Sequence, residues 1–315
     1  MGSKQIIHAQ TSGSTGHAKQ LSRDAASWVV SAQHEALAFG LGPSERFFVF
    51  AAATHSLWAY AHFRAQLIRA PVLGVEPLQA RHPSGGLSQL SHFKPTVIYT
   101  IPDCMPLLLH AGPAALGSAA RLIVGGGAWP AGGPIEAQAA KANPRMRIQL
   151  FYGSAECSFV GLGHPEEMPW YRPFPDVQLR EVDGELHVKS PMTISPGDWI
   201  ATGDRVQLKQ GGQAFQIMGR SARTIRILGK DLQPEPIEEF LCARGFCEIA
   251  AIMLETQNRG RLVLFYRPGH KSPDASEIRQ AVSEAFPHAP AIHRLIEIEN
   301  WPRLPSGKTN FDALK

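Results

Sequence analysis

The 315-residue chain is sparing in cysteine and in charge, and it lacks any apolar run long enough to cross a bilayer. Its four cysteines, Cys104, Cys157, Cys242 and Cys247, show no paired C-x-x-C spacing and no histidine-rich neighbourhood. That argues against a structural zinc site and suits a reducing compartment. Charged residues are 18% of the chain, and Lys+Arg exceeds Asp+Glu by 31 to 27. This balance falls short of a nucleic-acid-binding protein, although a mild positive charge helps to attract an anionic nucleotide or an acidic partner. Met1-Gly2-Ser3-Lys4-Gln5 has neither the apolar core nor the cleavage site of a signal peptide. The expectation is therefore a cytoplasmic protein with no nucleic-acid and no membrane partner. What the chain does have is 44% hydrophobic residues over a length sufficient for two domains.

Gln5–Gln10 reads as a strand entering a loop of small residues, and Asp24–Phe39 as the helix that follows, stopping at Gly40. Strand-like and helix-like segments then alternate: 46–53, 56–69, 72–75, 96–100, 105–111, 121–124 and 146–151. Such alternation predicts an α/β domain. From about residue 170 short strands joined by turns take over, with a hairpin at Asp183-Gly184. A compact α+β pattern occupies the remainder. The expected fold class is a large α/β domain over 1–220, with a β-rich subdomain at 170–220, followed by a small mobile α+β domain over 221–315.

Thr11-Ser12-Gly13-Ser14-Thr15-Gly16-His17-Ala18-Lys19 packs hydroxyls, flexible glycines and a lysine between a strand and a helix. That mixture suits backbone N–H groups closing on phosphate oxygens. It departs from the pattern GxxxxGK[ST], since Gly13 is three residues before Gly16 and Gln20 follows Lys19. A flexible linker is the other reading of its composition, weakened by the strand before it and the helical pattern after it.

The loop resembles the TSGSTGxPK signature of the adenylate-forming superfamily: acyl-CoA synthetases, peptide-synthetase adenylation domains and luciferases. Ala18 stands in the proline position. Further motifs of that superfamily recur in the same order. Thr54-His55-Ser56 is similar to the segment whose histidine borders the acyl pocket and the α-phosphate, though a helix-capping histidine fits the lone residue as well. Gly125-Gly126-Gly127-Ala128 is similar to the glycine turn along adenine and acid. Phe151-Tyr152-Gly153-Ser154-Ala155-Glu156 resembles YGxTE, with Ala155 in the threonine position. Gly197-Asp198-Trp199 and Thr202-Gly203-Asp204 resemble GW…TGD, and Gly219-Arg220 the pair that begins the hinge. Ile225 through Gly229 and the Pro234–Glu239 stretch resemble IKxxG and PxEIE, with Ala222 where an acidic or lysine hinge residue is usual. Leu304 through Phe311 resembles the segment carrying the catalytic lysine, here Lys308.

The resemblance implies ATP and Mg²⁺ as cofactors and a carboxylic acid as substrate. It implies Tyr152 on adenine, Glu156 on Mg²⁺, Asp204 on the ribose hydroxyls, and Arg220 on ribose or phosphates. The loop Thr11–Gly16 with Lys19, together with Gly126, Gly127, Gly153 and Ser154, completes the nucleotide site, and Lys308, Glu156 and His55 are the catalytic set. His55, Trp58, Gly125 and Ala128 are expected at the acid pocket; Trp58, Tyr60 and Trp129 with the glycines at 125–127 suggest an aryl or medium acyl acid, and each aromatic fits a core position equally well. The Gly229 loop is expected to replace Lys308 when the acyl group passes to CoA or to a phosphopantetheinyl carrier protein. Members of the superfamily carry an additional N-terminal subdomain before the phosphate loop, so a naturally short member or a fragment, with a possible homodimer, is expected. A non-catalytic nucleotide-binding scaffold or sensor is the alternative.

Overall fold

The computed structural model describes residues 6–10, 20–77, 86–127, 129, 135–227, 230–246, 248–256, 259–267, 274–304 and 309–314. A hairpin of β1 (Ile6–Gln10) and β2 (Gln20–Asp24) leads into α1 (Ala25–Phe39). The intervening strand β2 was not anticipated, because Gln20-Leu21-Ser22-Arg23-Asp24 is too polar to read as one. Asp24 caps α1 by accepting from Ala26 N at 2.9 Å, and Gly40 closes it in the left-handed conformation. Each such cap contributes about 1 kcal/mol.

Next come β3 (Phe47–Phe50), α2 (Ser56–Leu67), β4 (Val72–Val75), α3 (Leu90–Phe93), β5 (Val97–Thr100), α4 (Met105–Leu109), α5 (Gly112–Leu116), β6 (Arg121–Gly125), α6 (Ile135–Ala142) and β7 (Arg147–Ser154). Strands β4, β3, β5, β6 and β7 are parallel neighbours in that order. All four residues of β3 and of β5 are buried, as expected of a parallel sheet covered on both faces.

At β7 the sheet changes character. The turn 155–157 sends β8 (Ser158–Gly163) back antiparallel, and β9 (Trp170–Pro173), β13 (Phe215–Arg220), β12 (Ile200–Leu208), β11 (Glu185–Lys189) and β10 (Gln178–Val182) extend the same sheet outward. Eleven strands of the described residues thus form one continuous mixed sheet. The β10–β11 turn is Asp183-Gly184, both at positive φ, as a two-residue hairpin turn requires.

Beyond residue 220 lie the small hairpin β14 (Ile225–Ile227)/β15 (Lys230–Leu232), α7 (Glu235–Cys242), β16 (Glu248–Thr256), β17 (Arg259–Arg267), α8 (Ala275–Ala285) and β18 (Ile292–Glu297). Strands β16–β17–β18 form a separate three-stranded sheet. The apolar cores divide accordingly: one buried cluster runs from Trp28 to Phe215, and two others draw on residues from Ile225 onward.

A fully buried polar knot joins α1, α2 and β5. Glu35 accepts from Arg64 Nε and Tyr60 OH, each at 3.0 Å, and from Tyr99 OH. Burial pushes the Glu35 carboxyl up, against the pull of Tyr99, Arg64 and Tyr60.

Candidate active site

Tyr152, near the end of β7, and Asp204, within β12, are brought together by the antiparallel half of the sheet. The Tyr152 phenol donates to Asp204 Oδ2 at 2.5 Å, and Arg220 Nε lies 2.9 Å from Asp204 Oδ1. Burial, then the Asp204 carboxylate, pushes the Tyr152 phenol well above its ordinary value, so it stays a neutral donor. The Tyr152 ring meets Phe215 edge-on at 5.6 Å and Tyr171 at 6.0 Å. Gly153 follows where the β7–β8 register shifts; a Cβ there would lie 2.0 Å from the Ser158 carbonyl oxygen, so the strands can close only over glycine.

Beside this rim, α1, α2, the β6 turn and the β7–β8 turn line a half-open pocket. Trp28, Tyr60, Phe151 and Phe159 supply its aromatic walls; His55, Ser56, Leu57, Gly126, Gly153, Ser154, Ala155, Ser158 and Arg23 complete it. His55 caps α2: its Nδ1 accepts from Leu57 N at 3.1 Å. A backbone N–H is an obligate donor, so Nδ1 is unprotonated and the proton of the neutral ring sits on Nε2. A side chain at Gly126 would meet His55 Nε2 and Cε1 at 3.2 Å, which places that N–H over the glycine turn.

Of the other predicted residues, Ser154 Oγ accepts from Cys157 N at 3.1 Å, and Gly127 lies against Pro102. Glu156 is half-buried, and its carbonyl accepts from Ile194 N at 2.8 Å. Gly125 lies under the Phe151 ring, where a Cβ would come within 2.4 Å of it. Trp58 is not among the pocket-lining residues: its indole covers Gly74 on β4 and stacks on His62 at 5.0 Å. Trp129 is buried, donating to Glu136 Oε1 at 3.1 Å. Thr11, Ser12, Gly13, Ser14, Thr15, Gly16, Lys19, Ala128, Gly229 and Lys308 lie outside the described residues. Among the described residues no group of three or more His, Cys, Asp or Glu could hold a metal ion.

The rim continues into the C-terminal part. Arg220 N donates to Glu235 Oε1 at 3.1 Å. Gly219 has φ +141°, and a Cβ there would lie 2.4 Å from Glu235 Oε2. Arg223, one residue past Ala222, holds Glu235 and Glu238 at 3.1 and 2.6 Å and stacks over Phe311 at 3.9 Å. Burial opposes its charge, but Glu238 and Glu235 outweigh burial and raise its pKa. Sequence reading passed over Arg223, Arg23, Trp28, Phe151 and Phe159. For Phe151 and Phe159 the signal was available, since both flank the Tyr152-Gly153 motif and alternate with it along β7 and β8.

Residues 9–195, more than half of the chain, match the AMP-binding enzyme family. The chain is 27% identical over 266 residues to the uncharacterized acyl-CoA ligase YhfT of Bacillus subtilis (strain 168), covering 77% of this chain and 54% of that protein. It is 24% identical over 349 residues to the L-proline--[L-prolyl-carrier protein] ligase of Streptomyces coelicolor (strain ATCC BAA-471 / A3(2) / M145), covering 96% of this chain and 64% of that one. The chain thus spans about half to two thirds of the length of these relatives. The anthranilate CoA ligase AuaEII, in complex with anthranoyl-AMP, superimposes with a TM-score of 0.81 at 20% identity, over 99% of this chain and 67% of that one, a likeness of fold. With the family match running from the end of β1 through the glycine turn and the Tyr152 motif, the chain belongs to the AMP-binding enzyme family.

Proposed function

We propose that the chain binds ATP at the Tyr152–Asp204–Arg220 rim and activates a carboxylic acid held in the adjoining pocket. The carrying observation is that Asp204 gathers Tyr152 and Arg220 on its two oxygens beside a pocket walled by Trp28, Tyr60, Phe151 and Phe159. A buried carboxylate suits a ribose diol, and flat aromatic walls suit an aryl acid, with a medium acyl acid the next best fit. The complex of AuaEII with anthranoyl-AMP lends support to the aryl class.

In this reading a carboxylate oxygen of the acid attacks the α-phosphorus of ATP, the bond to the pyrophosphate oxygen breaks, and pyrophosphate leaves with its electron pair. The acid is already ionised at neutral pH, so no general base is required. His55, whose ring lies against Gly126, is assigned an oxygen of the reacting groups beside the glycine turn. Glu156 is a single half-buried carboxylate at the turn beside the pocket; that fits Mg²⁺, which commonly takes one carboxylate and draws its other ligands from phosphates and water. Such an ion would neutralise phosphate charge. Lys308 is assigned the developing charge at the reacting atoms, and Thr11–Gly16 with Lys19 the phosphates, on their motifs. Residues 221–315 are assigned a rotation about Arg220 that would bring the Gly229 loop to the site for transfer to a thiol of CoA or a carrier protein.

The test is acid-dependent ATP–pyrophosphate exchange across aryl, fatty and amino acids, with Lys308→Ala as control. Exchange with one acid class that falls by roughly a hundredfold or more in the variant is expected. Nucleotide binding without exchange for any acid would replace this reading by a non-catalytic scaffold.

A further inference from the structure

Arg23, near the end of β2, is 2% exposed and lines the acid pocket. Its Nε donates to Ser27 Oγ at 3.1 Å, Nη1 to the Ala155 carbonyl at 3.0 Å, and Nη2 to the Met192 carbonyl at 2.6 Å. The guanidinium carbon lies 5.1 Å from the centroid of the Trp28 ring. These partners satisfy three of its five N–H groups and are all neutral. One N–H on each terminal nitrogen has no partner among the described residues.

A buried cation without a counter-ion is costly, and proteins ordinarily pair it. Among the described residues no carboxylate pairs with Arg23; Glu156 acts on it at longer range, after Cys157 and Tyr60. The segments 11–19 and 130–134, outside the described residues, contain no aspartate or glutamate in their sequence. Burial brings the Arg23 pKa down to about 10, so the side chain is still charged at neutral pH. A strut between two carbonyls needs donors; it does not need a permanent charge. Each terminal nitrogen retains an N–H outside these bonds, and a guanidinium engages carboxylates through its terminal nitrogens.

We propose that Arg23 is a specificity-determining residue that binds a second carboxylate on the acid, so that the preferred substrates are dicarboxylic acids of aryl or comparable size. This rests on the acid-activation reading above. The anion at Arg23 is not the reacting carboxylate, because a fork on both of its oxygens would favour the ground state over attack.

The experiment compares acids matched in shape, terephthalate against 4-methylbenzoate and glutarate against pentanoate, in ATP–pyrophosphate exchange with wild type, Arg23→Gln and Arg23→Lys. Wild type is expected to favour the diacid of at least one pair by about tenfold or more in kcat/KM, and Arg23→Gln to bring that ratio to about one. Arg23→Lys keeps the charge without the fork and should fall between. Preference of wild type for the neutral-tailed acid in both pairs would overturn the proposal, as would an Arg23→Gln effect that is equal on diacid and monoacid. Should neither variant fold, the wild-type ratios alone decide. Calorimetric binding of the same acids without nucleotide separates this proposal from adenylation itself. Diacid binding lost in Arg23→Gln, with no exchange for any acid, would uphold the Arg23 site and sink the activation reading.

Discussion

Arg64 and Arg23 are buried to the same degree, at 4% and 2% exposure, yet their surroundings differ in kind. Arg64 on α2 meets Glu35 inside a knot closed by Tyr60 and Tyr99. Arg23 has carbonyls, a hydroxyl and an indole, and it faces a cavity. Tyr60 belongs to both places, its OH turned to Glu35 and its ring in the pocket wall. The charge of Arg64 has its counter-ion within the fold, whereas the hydrogen-bond partners of Arg23 are all neutral.

The sharpest way to break this contrast is Arg64→Met, which strands the Glu35 carboxyl and should lower stability by about 3–5 kcal/mol in urea unfolding. A loss under 1 kcal/mol would show that the knot is not what fixes α1 to α2. Ligand linkage comes next: terephthalate at about a hundred times its Kd should stabilise wild type by about 2.7 kcal/mol and leave the Arg23→Gln melting temperature unchanged. Tyr99→Phe removes one donor from Glu35 and should cost about 1–3 kcal/mol, read from the same urea curves. Smallest of all is the effect of Arg23→Gln on the ligand-free protein. It should cost about 1 kcal/mol or less, because removing an unpaired charge offsets the lost hydrogen bonds. A penalty as large as that of Arg64→Met would make Arg23 an ordinary structural residue.

Much of the rim was legible because its residues sit in short local signatures: Tyr152 and Gly153 in one, Asp204 in a second, Arg220 in a third. What the sequence could not display is that Tyr152 and Asp204 share a hydrogen bond across 52 residues. The α/β alternation was legible from period and punctuation, and the Asp183-Gly184 hairpin from its turn residues. The continuity of the sheet from β7 through β9 was not, since it depends on strand order. Trp58 and Tyr60 were nominated for the same pocket although two helical positions are about 200° apart. The buried face of α2 is Leu57, Tyr60, Ala61, Arg64 and Ala65, and Trp58 turns to Gly74. Arg23 carries no local signature, and its partners Ala155 and Met192 lie far along the chain.

The most direct test of the central claim, nucleotide at the rim and acid in the pocket, is the saturation behaviour of Asp204→Asn in acid-dependent ATP–pyrophosphate exchange. The account predicts that half-saturation for ATP rises by roughly ten- to a hundredfold while that for the acid stays within about threefold of wild type. A rise in the acid term with ATP unaffected, or equal kinetics in both proteins, would contradict it.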